Sequence, residues 1–337
     1  MAGQFSQFII ISNLSVMPYF LRLHWGLIAM VGIGLSNCVT TKTQTVFPTA
    51  PGTTSNAENL TRETSDPEAE TYPSVSPDGK FLLYNSLLTT TTWNYDPNRG
   101  LNRNIDKRMN IVKKEIGKPV RNPLVQNASD PTWTPNGDVI FSYVKPVKPV
   151  IVRSNNNGIG LNYISQGEMG DADASPSMTH DGKKVIFTTL IGGARMICSM
   201  DANGGSYTVI TEGDHPRTNP YDDSKLIYNN RVGNRTQIFT LDLRTGQKTQ
   251  LTTGEYNNFD GAFSRDGRYI AFCSNRENPT RNNNHLYAMR ADGTGLIQLT
   301  QGETNEGDPC WGPDGQIYFH SNAERNINIW KVRPRLQ

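Results

Sequence analysis

The sequence predicts an all-β protein, a six-bladed β-propeller of four-stranded antiparallel blades whose ring is closed by an N-terminal strand. Three observations carry this prediction. A strand–turn–strand unit recurs six times, at intervals of roughly 40–50 residues, the length of one blade. A third strand and then a fourth ending in Leu-Thr or a similar pair follow most units. A lone copy of that ending lies in Asn56–Glu70, ahead of the first unit.

The units are Tyr72–Ser86, Asp130–Val144, Ser175–Thr189, His215–Asn230, Asp260–Asn275 and Asp308–Asn322. The first reads YPSVSPDGKFLLYNS and the last DPCWGPDGQIYFHSN. Pro and Asp suit the centre of a type I turn, and glycine takes the left-handed position after it. Those glycines are Gly79, Gly137, Gly182, Gly267 and Gly315. The fourth unit carries Ser224 near that place, so its turn must be built differently. Apolar alternation predicts third strands at Met109–Lys114, Ala194–Asp201, Thr236–Leu243, His285–Asp292 and Asn326–Val332. Fourth strands are expected at Thr208–Gly213, Thr249–Gly254 and Ile297–Gly302. No segment between them has the period of an amphipathic helix. The sixth unit reaches the C-terminus after its third strand. Asn59–Thr61 is therefore expected to supply its outer strand, leaving only short, protected edges. The propeller is placed at residues 56–337.

Residues 1–37 read as a signal peptide, with Met17 giving a compact, positively charged start. Their apolar run, Gly26–Leu35, is too short to span a bilayer. Leu35-Ser36-Asn37-Cys38 resembles a bacterial lipoprotein cleavage box. That resemblance implies acylation of Cys38, and several acyl chains anchor stably where one does not. An exported lipoprotein at the periplasmic face or outer membrane is expected. Residues 38–55 are rich in Thr, Ser and Pro, the composition of a flexible tether. Cys198, Cys273 and Cys310 each lie in an apolar strand. A Cys273–Cys310 disulfide and buried free thiols are the two arrangements open to them.

The formal net charge is +2, which excludes a general nucleic-acid binder. Charge is uneven, however: Arg99–Arg153 holds eleven Lys and Arg against four Asp and Glu. Lys107, Arg108, Lys113, Lys114, Lys118 and Arg121 form a basic flank on blades one and two. It reads either as a docking patch for an anionic partner or as charge that protects outer strands from edge-to-edge pairing.

Aligning the units gives a column of Tyr72, Asp130, Ser175, His215, Asp260 and Asp308. These residues are expected to begin the innermost strands and circle one mouth of the channel. Three Asp there suit Ca²⁺ or a basic peptide; alternatively, each accepts hydrogen bonds from the adjacent turn. Two positions later the residues are small, as a crowded axis requires, except Arg217, which is expected to project into the channel. The bulky column after that, including Trp133 and Trp311, is expected to pack between blades. The long blade-one connection, Leu87–Arg108, combines aromatic and cationic residues in Trp93, Tyr95, Arg99 and Arg103. That composition suits protein or sugar contact, or else an extended hairpin packed on its blade.

No G-x-S-x-G, H-E-x-x-H, C-x-x-C or phosphate-loop motif is present, so no catalytic residues and no cofactor are assigned. Only His215 among the later histidines is placed at the channel mouth, and His180, in a turn, is expected to face solvent. These repeats resemble the six-bladed propeller of the TolB family, the periplasmic partner in the Tol–Pal envelope system, from about Asn56 to Pro334. The resemblance implies a monomeric, non-enzymatic, protein-binding scaffold whose partners are envelope proteins such as a Pal-like lipoprotein. TolB carries an α/β domain before its propeller, for which the stretch from Cys38 to Tyr72 is too short. Similar blades occur beside serine peptidases and in polysaccharide-acting enzymes. The alternative reading is therefore a carbohydrate-binding or polysaccharide-acting propeller.

Overall fold

The computed structural model describes residues 50–96, 100–145, 148–280 and 283–336. Innermost strands are Ala69–Val75, Ala128–Trp133, Ala174–Met178, Asp214–Thr218, Asn258–Phe263 and Glu306–Trp311. Each opens a four-stranded antiparallel sheet. Each packs on its neighbours around the axis, and the last packs on the first, so the ring is closed. Among the described residues the one helical element is a short 3₁₀ turn, Ala323–Arg325.

The expected closure is present and longer than the sequence signal. Ala57–Arg62 pairs with Asn328–Pro334, matching Glu58 to Arg333 and Thr61 to Lys331, and so forms the outer strand of blade six. Gly52–Thr53, assigned to the tether by composition, pairs with Thr300–Gln301 beyond the outer strand of blade five. The Thr54 hydroxyl donates to the Gln298 carbonyl at 2.6 Å. The incoming chain is thus fixed to two blades. The signal segment and Cys38 lie outside the described residues.

The Leu-Thr endings have a physical role at the seams between blades. Thr300 Oγ1 accepts the Leu286 N–H at 2.8 Å and donates to Glu306 at 3.0 Å. Ser165 accepts the Ile151 N–H at 2.8 Å and donates to Asp173 at 2.6 Å. Thr252 accepts the Ile238 N–H at 2.9 Å and donates to Gln237, which in turn holds Asn258. At the closing seam the role falls not to Thr61, which is exposed, but to Thr64, which accepts the Ile329 N–H at 2.8 Å and bonds Glu70. Each hydroxyl ties a third strand to a buried acid or amide at the opening of the next blade. Buried polar groups are tolerated only when paired, so the seam tolerates little substitution. Burial and the nearby Asp66 carboxylate push the Glu70 carboxyl up to about 8.

Apolar packing lies mainly between blades. Leu83 and Ile111 of blade one share a core with Trp133, Val139 and Phe141 of blade two. The indole N–H of Trp133 donates to the Ser74 carbonyl at 3.0 Å, and that of Trp311 to the Ala262 carbonyl at 3.1 Å. The bulky column therefore packs between blades as expected.

The structure also decides between readings that the sequence left open. Two of the six cations in the basic flank, Lys114 and Arg121, are neither a docking patch nor edge protection. Lys114 is buried and pairs with Glu63 at 2.8 Å, while Arg121 pairs with Asp66 at 3.1 Å and Glu68 at 3.2 Å. The acidic crossing from blade six to blade one draws these cations inward, leaving Lys107, Arg108 and Lys118 exposed. All three described cysteines are free, so Cys273 and Cys310 form no disulfide. The blade-one connection is an extended hairpin, the second of its two readings. Phe81–Asp96 and Gly100–Glu115 pair continuously from Phe81–Glu115 to Asp96–Gly100. The innermost strand accompanies this hairpin only to Leu87 and the outer strand only to Asn110. Beyond those points a two-stranded ribbon projects on the order of 30 Å from the face where the innermost strands begin.

Candidate functional site around the channel axis

A backbone irregularity repeated in every blade builds the axis. In each innermost strand the pairing register shifts at the aligned column, for example between Thr71 and Ser74 and between Gly307 and Cys310. The column residues have left-handed φ values: Tyr72 54°, Asp130 54°, Ser175 49°, His215 49°, Asp260 57° and Asp308 51°. Such a conformation costs a non-glycine residue about 1–2 kcal/mol, so the surrounding fold must hold it. Proline follows the column in five blades, where a bulge leaves no use for its missing N–H. Gly261 replaces it in blade five, where a β-carbon would strike Ile227. The column therefore lies inside the strands, not at their starts, and forms a ring within the channel.

The ring's polar atoms are largely paired with one another. Asp308 Oδ2 accepts the Tyr72 N–H at 3.1 Å and faces His320 Nδ1 at 2.9 Å. Asp130 Oδ2 accepts from the Ser175 N–H at 3.1 Å and its hydroxyl at 3.3 Å. The Asp260 N–H donates to Asn229 at 3.0 Å. His215 Nδ1 lies 3.1 Å from Asp214, and its Nε2 lies 3.1 Å from the Tyr72 hydroxyl, with the two rings stacked at 6.2 Å. Blades one and four are opposite, so the Tyr72–His215 pair bridges the channel.

Charge coupling follows from this crowding. Burial opposes the charged form of His215, but the Asp214 hydrogen bond and the Asp260 and Asp308 charges outweigh it and raise the imidazole to about 9. At neutral pH both ring nitrogens then carry protons, and Nε2–H donates to Tyr72. Burial and the Asp308 charge push Asp260 up to about 6. Burial likewise works against ionising Asp308, yet the His320 charge and hydrogen bond hold its carboxyl below the usual range. The Asp308 charge and burial raise the Tyr72 phenol. The three aspartates are spent on separate partners. Among the described residues no group of three acidic, histidine or cysteine side chains is placed to hold a metal ion, so the calcium expectation finds no ligand set.

Above the ring, at the Pro-Asp-Gly turns, the channel widens into a pocket of about 330 Å³. Arg217 lines it, as expected of the one large residue in the small column. Arg265 and His180 line it as well; His180 is exposed, as expected, but the sequence reading placed neither at the channel. The signal was available: they occupy the turn position held by Pro77, Pro135 and Pro220 in other blades. His320 was also missed. It follows a buried aromatic on its second strand, the place held by Asn85 and Asn229 in blades one and four.

The other assigned group lies apart from the pocket. Trp93 pairs with Arg103 and Tyr95 with Leu101 in the backbone register of the ribbon. Arg99 lies outside the described residues. The ribbon leaves from the face opposite the turns, so it is on the other side of the molecule from the pocket.

Comparison with known proteins agrees with this architecture. A family model described as the TolB β-propeller domain matches residues 216–334. An uncharacterized protein of Agrobacterium fabrum is 33% identical over 72 residues, 21% of this chain and 23% of that protein. The chain thus spans less than a quarter of that curated relative. A putative TolB from Agrobacterium tumefaciens superposes with a TM-score of 0.60 at 18% identity, over 80% of this chain and 91% of that one. TolB from Acinetobacter baumannii gives 0.53 at 19% identity, over 68% and 60%. An oligogalacturonate lyase from Vibrio parahaemolyticus gives 0.53 at 13% identity, over 81% and 93%. The fold is thus shared with proteins of different chemistry. Residues 216–334, in blades four to six, are thus similar to the TolB β-propeller domain, and the ring shares the six-bladed fold of the TolB structures it superposes on.

Proposed function

We propose that the protein is a non-catalytic scaffold of the cell envelope, anchored by lipid at Cys38, that holds a partner protein on the axis of its propeller. The observation that carries this is the contrast along the axis. The titratable groups of the ring are engaged with each other, whereas the pocket above them is open and lined by aromatic and cationic side chains. Acid–base catalysis needs a group within hydrogen-bond reach of a substrate proton. Side chains already spent on one another suit a rigid floor better. Tyr72, Asp130, His215, Asp260 and Asp308 form that floor, and Arg217 faces the partner. The ribbon, with Trp93, Tyr95 and Arg103, supplies a second contact on the opposite face, to which Arg99, next to it in sequence, contributes.

The cysteine box and the likeness to TolB propellers support an envelope location, and a Pal-like lipoprotein is the first partner to test. Affinity capture from detergent-solubilised envelope, with identification of bound proteins, tests the scaffold. One partner recovered in near-equal amount is expected, and its absence would sink the reading. Mass spectrometry of the native N-terminus tests the anchor: an unmodified terminus other than Cys38 refutes it. A polysaccharide-binding propeller is the second reading, prompted by the fold shared with the lyase. Binding to peptidoglycan or polysaccharide fragments, with no protein captured, would favour it.

A further inference from the structure

We infer that the pocket on the turn face of the channel binds a carboxylate carried on an apolar body, of the kind that ends a polypeptide on a hydrophobic residue. The cations come first. Among the described residues the Arg217 side chain makes no hydrogen bond and no close ion pair; its charge acts on Asp260 and Tyr72 from a distance. Arg265 reaches across the channel to the Val75 carbonyl at 2.8 Å, yet its Nε is buried without a partner. No Asp or Glu lines the pocket. A buried guanidinium N–H without an acceptor is costly. A carboxylate is the ligand whose two oxygens match the planar guanidinium fork.

The walls select the rest of the ligand. Trp133, Phe263, Trp311 and Met178 line the pocket with several prolines. No Asn, Gln, Asp or Glu side chain is among them. A sugar acid would bring a hydroxyl on nearly every carbon, whereas the wall's hydroxyls at Ser74, Thr134, Ser177 and Thr218 are already engaged within the fold. An apolar body loses nothing there. The floor selects a terminus. The Tyr72–His215 pair bridges the axis two residues below the Arg217 level, so the pocket is blind. A volume of about 330 Å³ is small for a loop, which must bring two chain segments in and out. A single chain end needs room for only one. Recognition of a chain-terminal carboxylate is a known mode of peptide capture.

The inference deepens the scaffold reading and rests on it only in taking the ligand to be a protein terminus. It is tested by calorimetry on the full chain in detergent. The probes are acetyl-Ala-Ala-Phe with a free C-terminus, the same peptide as its C-terminal amide, phenylacetate, and galacturonate. The free acid is expected to bind at least tenfold tighter than the amide, with galacturonate weaker still. Arg217→Gln is expected to reduce free-acid binding tenfold or more while leaving the melting temperature unchanged. Arg265→Gln should act in the same direction. Binding of phenylacetate without the peptide acid would keep the carboxylate site and assign it to small molecules. Equal binding of acid and amide, or preference for galacturonate, would overturn the inference. If affinity capture recovers the same partner with wild type and Arg217→Gln, the scaffold stands and this site falls. If nothing is captured by either, the scaffold reading falls, and the acid–amide comparison still decides the pocket.

Discussion

Two levels of one channel, a strand-width apart, behave as opposites. At the lower level, six residues in strained backbone conformations form a bridged ring whose charged groups are engaged with neighbours. At the upper level, Arg217 has no hydrogen-bonding partner among the described residues, and one Arg265 N–H is orphaned. The difference shows that a cluster of titratable residues on a symmetry axis is not by itself a reaction centre. Pairing distinguishes the two levels. Groups satisfied within the fold serve stability, and groups left unsatisfied next to an open volume are available to a ligand.

The contrast breaks if disturbing the lower level costs nothing. Asp308→Ala removes the acceptor of both His320 and the Tyr72 N–H. It should destabilise by roughly 3–5 kcal/mol, the usual cost of orphaning one partner of a buried pair, read as a lower urea midpoint. A midpoint within error of wild type would mean the ring is not structural.

Titration sharpens the same contrast. His215 is raised from 6.5 to about 9, so its contribution is fully present below pH 6.5 and is lost as pH rises through 9. The loss should be on the order of 3 kcal/mol. Glu70 is raised from 4.5 to about 8 and favours the folded state in its protonated form, so it too loses its contribution as pH rises, between those values. The protein should therefore melt lower at pH 9 than at pH 6. His215→Gln should flatten the upper part of that fall and Glu70→Gln the lower part. A melting temperature that rises across this range contradicts both assignments.

Closure of the ring sets a smaller effect. Deleting residues 56–62 removes the outer strand of blade six and should lower the melting temperature by several degrees, whereas an unchanged curve would show that the ring holds without it. The smallest effect belongs to the upper level. Arg217→Gln should change stability by no more than about 0.5 kcal/mol, as expected where no hydrogen bond or close ion pair is lost and the charge acts on Asp260 only from a distance. A large loss would place Arg217 with the ring and not with the pocket.

Much of this was legible in the residues. The Pro-Asp-Gly turns marked the hairpins, and the stray Leu-Thr ending in Asn59–Thr61 marked the closing strand. Arg217 stood out because the axis admits only small neighbours. The purpose of the Leu-Thr ending was not legible. The acid it binds lies in the following unit, as with Thr300 and Glu306, and only folding shows that the two share a seam. The basic flank misled for the same reason. A local charge count takes in Lys114 and Arg121 but not Glu63 and Asp66, which arrive from the opposite end of the ring closure.

The chain's own pattern of turns, alternating strands and repeat length determined that it folds into six radial sheets. That information is local: each hairpin is encoded within about fifteen consecutive residues, and repeats of blade length bury their apolar faces by stacking on one another. Tertiary structure alone decided which side chains meet at that axis. Tyr72 and His215 come from opposite blades, and Arg265 reaches past blade six to Val75. Such contacts depend on where the ring closes and on the left-handed bulge that places each column residue, and neither is written in any one repeat.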